Sequence, residues 1–295
     1  MIILGCGSIG QALATRYQQR GESVLGVVRS AETAAAVAAA GAQALQLDLV
    51  HDDLATFEPA GKPVFHLAPP PSEGDEDPLT AHLIETFARH GHPRRLVYIG
   101  TTGVYGDCDG AWVDEDWPPQ PTASRSLRRW DAEQRLRQWS RDSGAELVIL
   151  RVAGIYACDR LPLARIRSAQ PVVKAAEAPW SNRIHAEDLV EICIAAMERA
   201  PTGAVYNVCD GHPSTMTDYF CQVADAAGLP RPPQIPLAEA DGQISAGMLS
   251  YLKESRRLSN QRLLEELRVN LRFPDLTAGL AQCFQSQTER GNVEH

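Results

Sequence analysis

Met1-Ile-Ile-Leu-Gly5-Cys-Gly7-Ser-Ile-Gly10-Gln-Ala-Leu-Ala14 decides how the rest of the chain is read. A short apolar run ends in three glycines spaced G-x-G-x-x-G. The next residues place Ile9, Leu13 and Tyr17 on one helix face. The pattern is strand, tight turn, helix. Gly5 serves the turn, Gly7 lets backbone approach a pyrophosphate, and Gly10 lets the helix pack against the strand. Ser8 and Ile9 open the helix, whose unpaired N–H groups and dipole favour an anion there. A G-x-G-x-x-G that merely turns the chain is the plain alternative, but a second β-α unit follows directly and favours a dinucleotide site.

Working outward, Ser23-Val-Leu-Gly-Val-Val28 reads as a second strand, with Arg29-Ser30 at its end. Arg29 stands 24 residues beyond Gly5, about where such a fold meets the adenosine ribose. A carboxylate there suits the 2′-hydroxyl of NAD, whereas a guanidinium suits the 2′-phosphate of NADP. NADP(H) is therefore the preferred cofactor, with NAD(H) as the second choice. The alternative is a solvated Arg29 beside a helix cap at Ser30. An Ala-rich helix over 31–40 leads to a third strand, Gln43 to Asp48. Asp48 is placed either to face the adenine or to cap the next turn. Pro63 to Ala68 is a fourth strand whose last residues, Leu67 and Ala68, are expected to line the cofactor.

Asp77-Pro78 marks a helix start. Arg95-Leu-Val-Tyr-Ile-Gly-Thr-Thr-Gly-Val-Tyr-Gly106 is a fifth strand ending in hydroxyl residues. Ligands bind beyond the carboxyl ends of parallel strands, so Thr101 and Thr102 are placed to meet a substrate or nicotinamide. A charged helix runs from about Ala123 to Ser143, and Leu147 to Arg151 is a sixth strand. The alternation predicts an α/β fold, a doubly wound parallel (Rossmann) sheet with right-handed crossovers. Residues 1–156 plus about 182–210 are assigned to the dinucleotide-binding domain. About 157–181 plus 211–295 are assigned to a smaller C-terminal, substrate-side lobe.

The chain has 295 residues, 28 basic against 37 acidic, and no Lys/Arg-rich run backed by aromatics, which argues against nucleic acid as a partner. Without a long uncharged apolar run or a leader-like start, a membrane span and secretion are not expected, and a cytoplasmic location is. Seven cysteines, scattered and without C-x-x-C, read as reduced thiols, and no metal site is expected.

Taken together, Gly5 to Gly10, T-T-G-V-Y-G at 101–106, Arg151-Val-Ala-Gly-Ile-Tyr156, Arg183-Ile-His-Ala-Glu-Asp188 and Tyr206-Asn-Val208 resemble the extended short-chain dehydrogenase/reductase superfamily. More narrowly, with Glu254 to Asn260, Phe273-Pro274 and Gly279-Leu280, the chain is similar to an atypical NAD(P)-dependent epimerase/dehydratase-like bacterial branch. Two departures stand out. The glycine loop is one residue shorter than the superfamily's G-x-x-G-x-x-G. In place of the catalytic Y-x-x-x-K, counting back from Glu133 puts Arg129 at the Lys position and Arg125 at the Tyr position.

The resemblance implies hydride transfer at a carbonyl, with Tyr as acid/base, Lys holding the nicotinamide ribose, and Ser or Thr polarising the oxygen. Thr101 falls on the Ser/Thr position, and Arg129 replaces the Lys cation. Arg125 cannot act as an acid, since a guanidinium stays protonated, but it can stabilise an alkoxide while water delivers the proton. The alternative for this helix face is an exposed surface with an Arg129/Glu133 pair. Tyr98, Tyr105 and Tyr156 are weaker candidates for the missing acid. Arg183 is placed to meet an anionic substrate group, and His185 and Asp188 to organise the following turn. The expected function is an NADP(H)-dependent oxidoreductase or epimerase/dehydratase-like enzyme acting on a small carbonyl or alcohol. The competing reading is a non-catalytic NADP(H)-binding sensor. A homodimer through the helices around 79–90 and 123–143 is common in the superfamily.

Overall fold

A computed structural model describes residues 1–56 and 58–291 of the chain. Seven parallel strands form the central sheet: β1 Ile2–Leu4, β2 Leu25–Val28, β3 Gln43–Gln46, β4 Pro63–His66, β5 Arg95–Thr101, β6 Glu146–Val152 and β7 Val205–Val208. Their order across the sheet is β7-β6-β5-β4-β1-β2-β3. The winding reverses between β1 and β4, where Ile2, Ile3 and Leu4 pair with Val64, Phe65 and His66. A crevice at such a reversal is where open α/β sheets take their ligands. The inner strands are apolar on both faces because helices cover both sides. Ile3, Val97 and Val148 face one core, and Leu4, Leu96 and Leu147 the other.

The helices on these faces are α1 Ser8–Gln19, α2 Ala31–Ala39, α3 Pro78–His90, α4 Ser124–Ser143 and α5 Ala186–Arg199. Local chemistry sets their ends. Ser30 caps α2 by accepting from the Thr33 N–H, and Asp77 caps α3, with Pro78 in the first turn. Gly144, in the left-handed region, stops α4. Further along, α6 Met216–Ala226, α7 Gln261–Leu267 and α8 Leu276–Gly291 follow. Tyr156, Ile166, Val172, Phe220, Val223 and Leu280 form a separate apolar cluster beyond the sheet.

The outer side of β7 is closed by side chains. The Asn207 N–H donates to Glu115 Oε1 at 2.8 Å, and the Asn207 amide nitrogen donates to the carbonyls of Val113 and Ser259. Tyr206 donates its hydroxyl proton to Glu266 on α7.

Two sequence expectations are corrected. Cys158 and Cys283, 125 residues apart, are joined by a disulfide, while Cys6, Cys108, Cys193, Cys209 and Cys221 are free and buried. Spacing gave no sign of the bond because packing of α8 against the Cys158 turn brings the two together. Nor does Glu133 form a surface pair with Arg129. It is fully buried and bonds Arg151, with Arg137 as a second partner.

Candidate active site

The glycine loop divides its work as its spacing suggests. Gly5 has φ +76°, and a Cβ there would lie 2.5 Å from the backbone of Ala68, so the first turn packs directly on the end of β4. Gly10 is tight against Ile3 and Cys6, each 3.1 Å from a would-be Cβ. At Gly7 a Cβ would meet nothing within 4 Å. Gly7 is the N-cap of α1 and has no side chain to satisfy the first-turn N–H groups, and that turn holds no acidic residue. An open, uncapped helix start at the reversal of the sheet fits the pyrophosphate of a dinucleotide. Ser8 is exposed and its hydroxyl accepts a hydrogen bond from the Arg160 guanidinium, a neighbour 152 positions away that sequence spacing could not supply. Ile9 packs at the edge of the core.

Arg29 is exposed at the end of β2 and makes no ion pair among the described residues. Ser30 spends its hydroxyl on the cap of α2. Asp48 is half-buried and accepts the Val50 N–H, as a turn-capping carboxylate does. Leu67 is half-buried and Ala68 buried, directly beyond β4.

On the other side of the reversal lie the residues that replace the usual acid/base pair. Arg129 Nη1 donates to Ile99 O at 3.1 Å, to the Tyr98 hydroxyl at 3.3 Å and, at 3.5 Å, to Ala68 O. One guanidinium thus bridges the carboxyl ends of β4 and β5, beside the loop that Gly5 turns. Burial pushes the Tyr98 hydroxyl up to about 12, against the pull of Arg129. Fully buried, Tyr98 is no proton donor to a substrate; it holds Arg129. Tyr105 donates to Asn207 and Tyr156 to Asp275 O, and both are buried. None of the three tyrosines therefore stands in for the missing acid.

Thr101 Oγ1 accepts the Gly103 N–H at 3.1 Å, which makes Thr101 the cap of the 3-10 turn Thr102–Tyr105. That bond uses a lone pair and leaves the hydroxyl proton to donate elsewhere. Thr102 is buried at the start of the turn and offers a ligand little surface. Arg125 reaches away from the strand ends to a segment that sequence reasoning did not connect with it. It pairs with Glu254 at 3.0 Å, donates to Ser250 Oγ and stacks on Tyr251, its guanidinium carbon 4.1 Å from the ring centre. Glu254 is itself buried and also holds Arg256, which donates to Gly106 O. A chain segment 129 residues downstream therefore fixes the side chain at the vacant Tyr position.

Arg183 is buried, donates to Asn182 O and Met216 Sδ, and stacks over Tyr219 at 4.4 Å. Burial lowers its pKa, and no carboxylate pairs with it among the described residues. Its guanidinium borders Gly154, where a Cβ would come within 3.0 Å. His185 caps α5 through Nδ1, which accepts the Glu187 N–H, and the Asp188 carboxylate accepts the Arg272 and Phe273 N–H groups. A ring nitrogen of His185 and the sulfurs of Cys158 and Cys283 lie within 4.8 Å of one another, a cluster that the scattered cysteines did not announce.

Comparisons with known proteins agree with the fold. The model of the NAD dependent epimerase/dehydratase family matches residues 1–209. The 4-hydroxy-2-methyl-3-oxo-4-farnesyl-3,4-dihydroquinoline-1-oxide ketoreductase of Stigmatella aurantiaca is 27% identical over 243 residues, 76% of this chain and 72% of that protein. Among solved structures, a conserved protein of unknown function from Silicibacter pomeroyi superposes with a TM-score of 0.84 and 32% identity over 98% of both chains. The UDP-glucose 4-epimerase of Thermotoga maritima, solved with UDP-glucose, gives a TM-score of 0.78 over the full length of both chains. At 18% identity that likeness shows the fold alone. None of these relatives supports the sensor alternative, and no helix among the described residues is long and apolar enough to cross a membrane. With its reversal-point glycine loop, seven-stranded parallel sheet and family match over residues 1–209, the chain belongs to the NAD-dependent epimerase/dehydratase family, whose members are oxidoreductase- and epimerase-type enzymes.

Proposed function

We propose that this protein is an NADP(H)-dependent oxidoreductase that interconverts a small ketone and its alcohol without the usual Tyr-x-x-x-Lys. The observation that carries the reading is the Arg129 guanidinium, lodged against Ala68 O and Ile99 O between the glycine loop and Thr101. It puts a permanent cation where the resemblance calls for the Lys that holds the nicotinamide ribose. The ketoreductase relative supports a carbonyl substrate. Arg29, exposed beyond β2, supports the 2′-phosphate of NADP over the bare ribose of NAD.

The glycine loop and the first turn of α1 would hold the pyrophosphate, Arg29 the 2′-phosphate, and Asp48, Leu67 and Ala68 the adenosine half. When bound, the nicotinamide supplies or takes the hydride. Thr101 donates its hydroxyl proton to the substrate oxygen. Arg129 keeps the site positive, Arg125 adds only a weaker charge at longer range, since Glu254 partly neutralises it, and solvent supplies the proton. Arg183, buried without a carboxylate partner, suits an anionic group on the substrate. In this reading residues 157–181 and 211–291 form the substrate-side lobe, with 292–295 outside the described residues, and α3 and α4 carry a homodimer contact.

The deciding experiment measures thermal unfolding with NADPH and with NADH, then NADPH consumption across a panel of small ketones. A ligand that binds the folded state at a hundredfold excess over its Kd adds about 2.7 kcal/mol. Stabilisation by NADPH above NADH, with turnover of some ketones, supports the proposal. Tight binding with no consumption of any ketone refutes it.

A further inference from the structure

Cys158 lies in the 3-10 turn Cys158–Arg160 and is partly exposed, whereas Cys283 on α8 is 1% exposed. Between them and α5 sits His185, wedged against Tyr156 and Phe273, with ring centres 5.0 and 4.0 Å away. Nδ1 is committed as acceptor of the Glu187 N–H, so a neutral ring carries its proton on Nε2. Burial keeps the ring neutral, lowering its pKa against the raising effect of Glu187 and Asp188. Yet Nε2 is buried with no hydrogen-bond partner. A buried donor without an acceptor is uncommon and costly. The sulfurs clustered with this ring are poor acceptors as a disulfide and good ones as a thiolate.

We propose that Cys158, Cys283 and His185 form a thiol–disulfide exchange site, open at Cys158 and served by a low-molecular-weight dithiol or a dithiol protein. The attacking thiolate bonds to Cys158 Sγ and the Cys158–Cys283 bond breaks. The electron pair leaves on Cys283 Sγ, where the Nε2–H of His185 donates to the new thiolate. The partner's second thiolate then displaces Cys158. After protonation the chain holds two thiols and the partner one disulfide, so one dithiol is oxidised for each protein disulfide reduced. Attack falls on Cys158 because it is the more exposed residue of the pair, and the buried leaving thiolate needs the donor that the ring holds ready.

The site also reaches the glycine loop. Two residues from Cys158, Arg160 donates to Ser8 Oγ at the start of α1. While the disulfide holds, α8 anchors the turn that carries this guanidinium beside the uncapped helix start. Reduction frees the turn, so the reduced protein binds nucleotide more weakly. This last coupling rests on the cofactor reading above; the exchange chemistry does not.

The full-length protein, equilibrated in dithiothreitol buffers of graded poise, is alkylated after denaturation and its modified cysteines are counted by mass. Five modified cysteines at the oxidising end, seven at the reducing end, and seven minus the mutated residue at every poise in Cys158→Ser support the site. Full modification of wild type at every poise overturns it. His185→Ser keeps an oxygen for the α5 cap and removes the ring donor. A roughly tenfold slower exchange with dithiothreitol supports the role of Nε2, and an unchanged rate overturns it. NADPH affinity at least threefold weaker in the reduced wild type supports the coupling, and equal affinities overturn it. Nucleotide bound by neither form would instead remove the cofactor reading, with the cysteine count still deciding the exchange site.

Discussion

Glu133 and Arg151 form a forked ion pair in the interior, Oε2 to Nη2 at 2.9 Å, with Arg151 Nε also in reach of both carboxylate oxygens. Neither side chain is more than 2% exposed, and the guanidinium lies over the Tyr105 ring at 4.7 Å. The pair pins α4 to β6 behind the strand end that carries Thr101. Removing Glu133 leaves the Arg151 guanidinium buried without a carboxylate, whereas Glu133 has Arg137 as a second partner. Glu133→Gln should therefore cost about 3–5 kcal/mol in urea unfolding, while Glu133→Leu combined with Arg151→Met should recover most of it. A single substitution costing under about 1 kcal/mol would deny the pair this role.

The three glycines separate folding from binding. Gly5→Ala meets the Ala68 backbone and forces a side chain to φ +76°, so it should destabilise by more than about 1 kcal/mol. Gly7→Ala enters open space at an ordinary φ of −74° and should leave stability within about 0.5 kcal/mol, while weakening NADPH binding at least tenfold. Thermal unfolding with and without nucleotide checks both. Unimpaired binding by Gly7→Ala would move the pyrophosphate elsewhere.

For cofactor choice, Arg29→Ala should weaken NADPH by roughly tenfold or more, the worth of a charge-assisted contact, and leave NADH within twofold. Equal losses for both nucleotides, measured by titration, would make Arg29 a general surface charge.

Thr101→Val removes the hydroxyl proton and also the cap of the Gly103 N–H. Turnover should fall about 100-fold, as when an oxyanion donor is lost, with NADPH affinity within twofold. Thr101→Ser, which keeps both functions, should restore most of the rate. Equal activity in Thr101→Val would reduce Thr101 to a turn former.

Burial raises the Asp210 carboxyl to about 6, opposed by the His212 N–H and by the charges of His212 and Arg183. The folded state therefore holds a proton that the unfolded state has released, from the ordinary value near 3.8 up to about 6. Stability from this group is fully present below the lower value and is lost as pH rises through the upper one. Asp210→Asn should remove that slope, gaining at most about 3 kcal/mol over wild type at pH 8 relative to pH 3.5. A difference that does not change with pH in denaturant titrations would contradict the raised value.

What the sequence disclosed was local. Gly5, Gly7 and Gly10, the Asp77-Pro78 start of α3 and the Ser30 cap depend on residues within a turn of one another, so their spacing carries their meaning. The apolar runs of β1, β5 and β6 were legible for the same reason, since burial on both faces leaves a continuous signature. Partners separated by long stretches of chain were not. Glu133 finds Arg151 across a helix–strand interface, Arg125 finds Glu254 129 residues on, and Cys158 finds Cys283 125 residues on. In each case the chemistry of one residue was visible and its partner was chosen by packing. The catalytic-position arginines show this most plainly: their spacing on α4 suggested a single charged face, but each points to a different neighbourhood.

The groups that close the outer side of β7 come from two distant stretches, the Val113 carbonyl and Glu115 carboxylate before it and the Ser259 carbonyl and Glu266 carboxylate after it. During synthesis the strand is made long before the second stretch. A chain halted short of residue 259 would lack the Ser259 and Glu266 contacts and present Val205–Val208 as a half-covered margin, guarded by Val113 and Glu115, to which a strand of another molecule can add. Self-association is thus a hazard of interrupted chains, and about the last eighth of the sequence acts for the earlier part as a built-in guard against it.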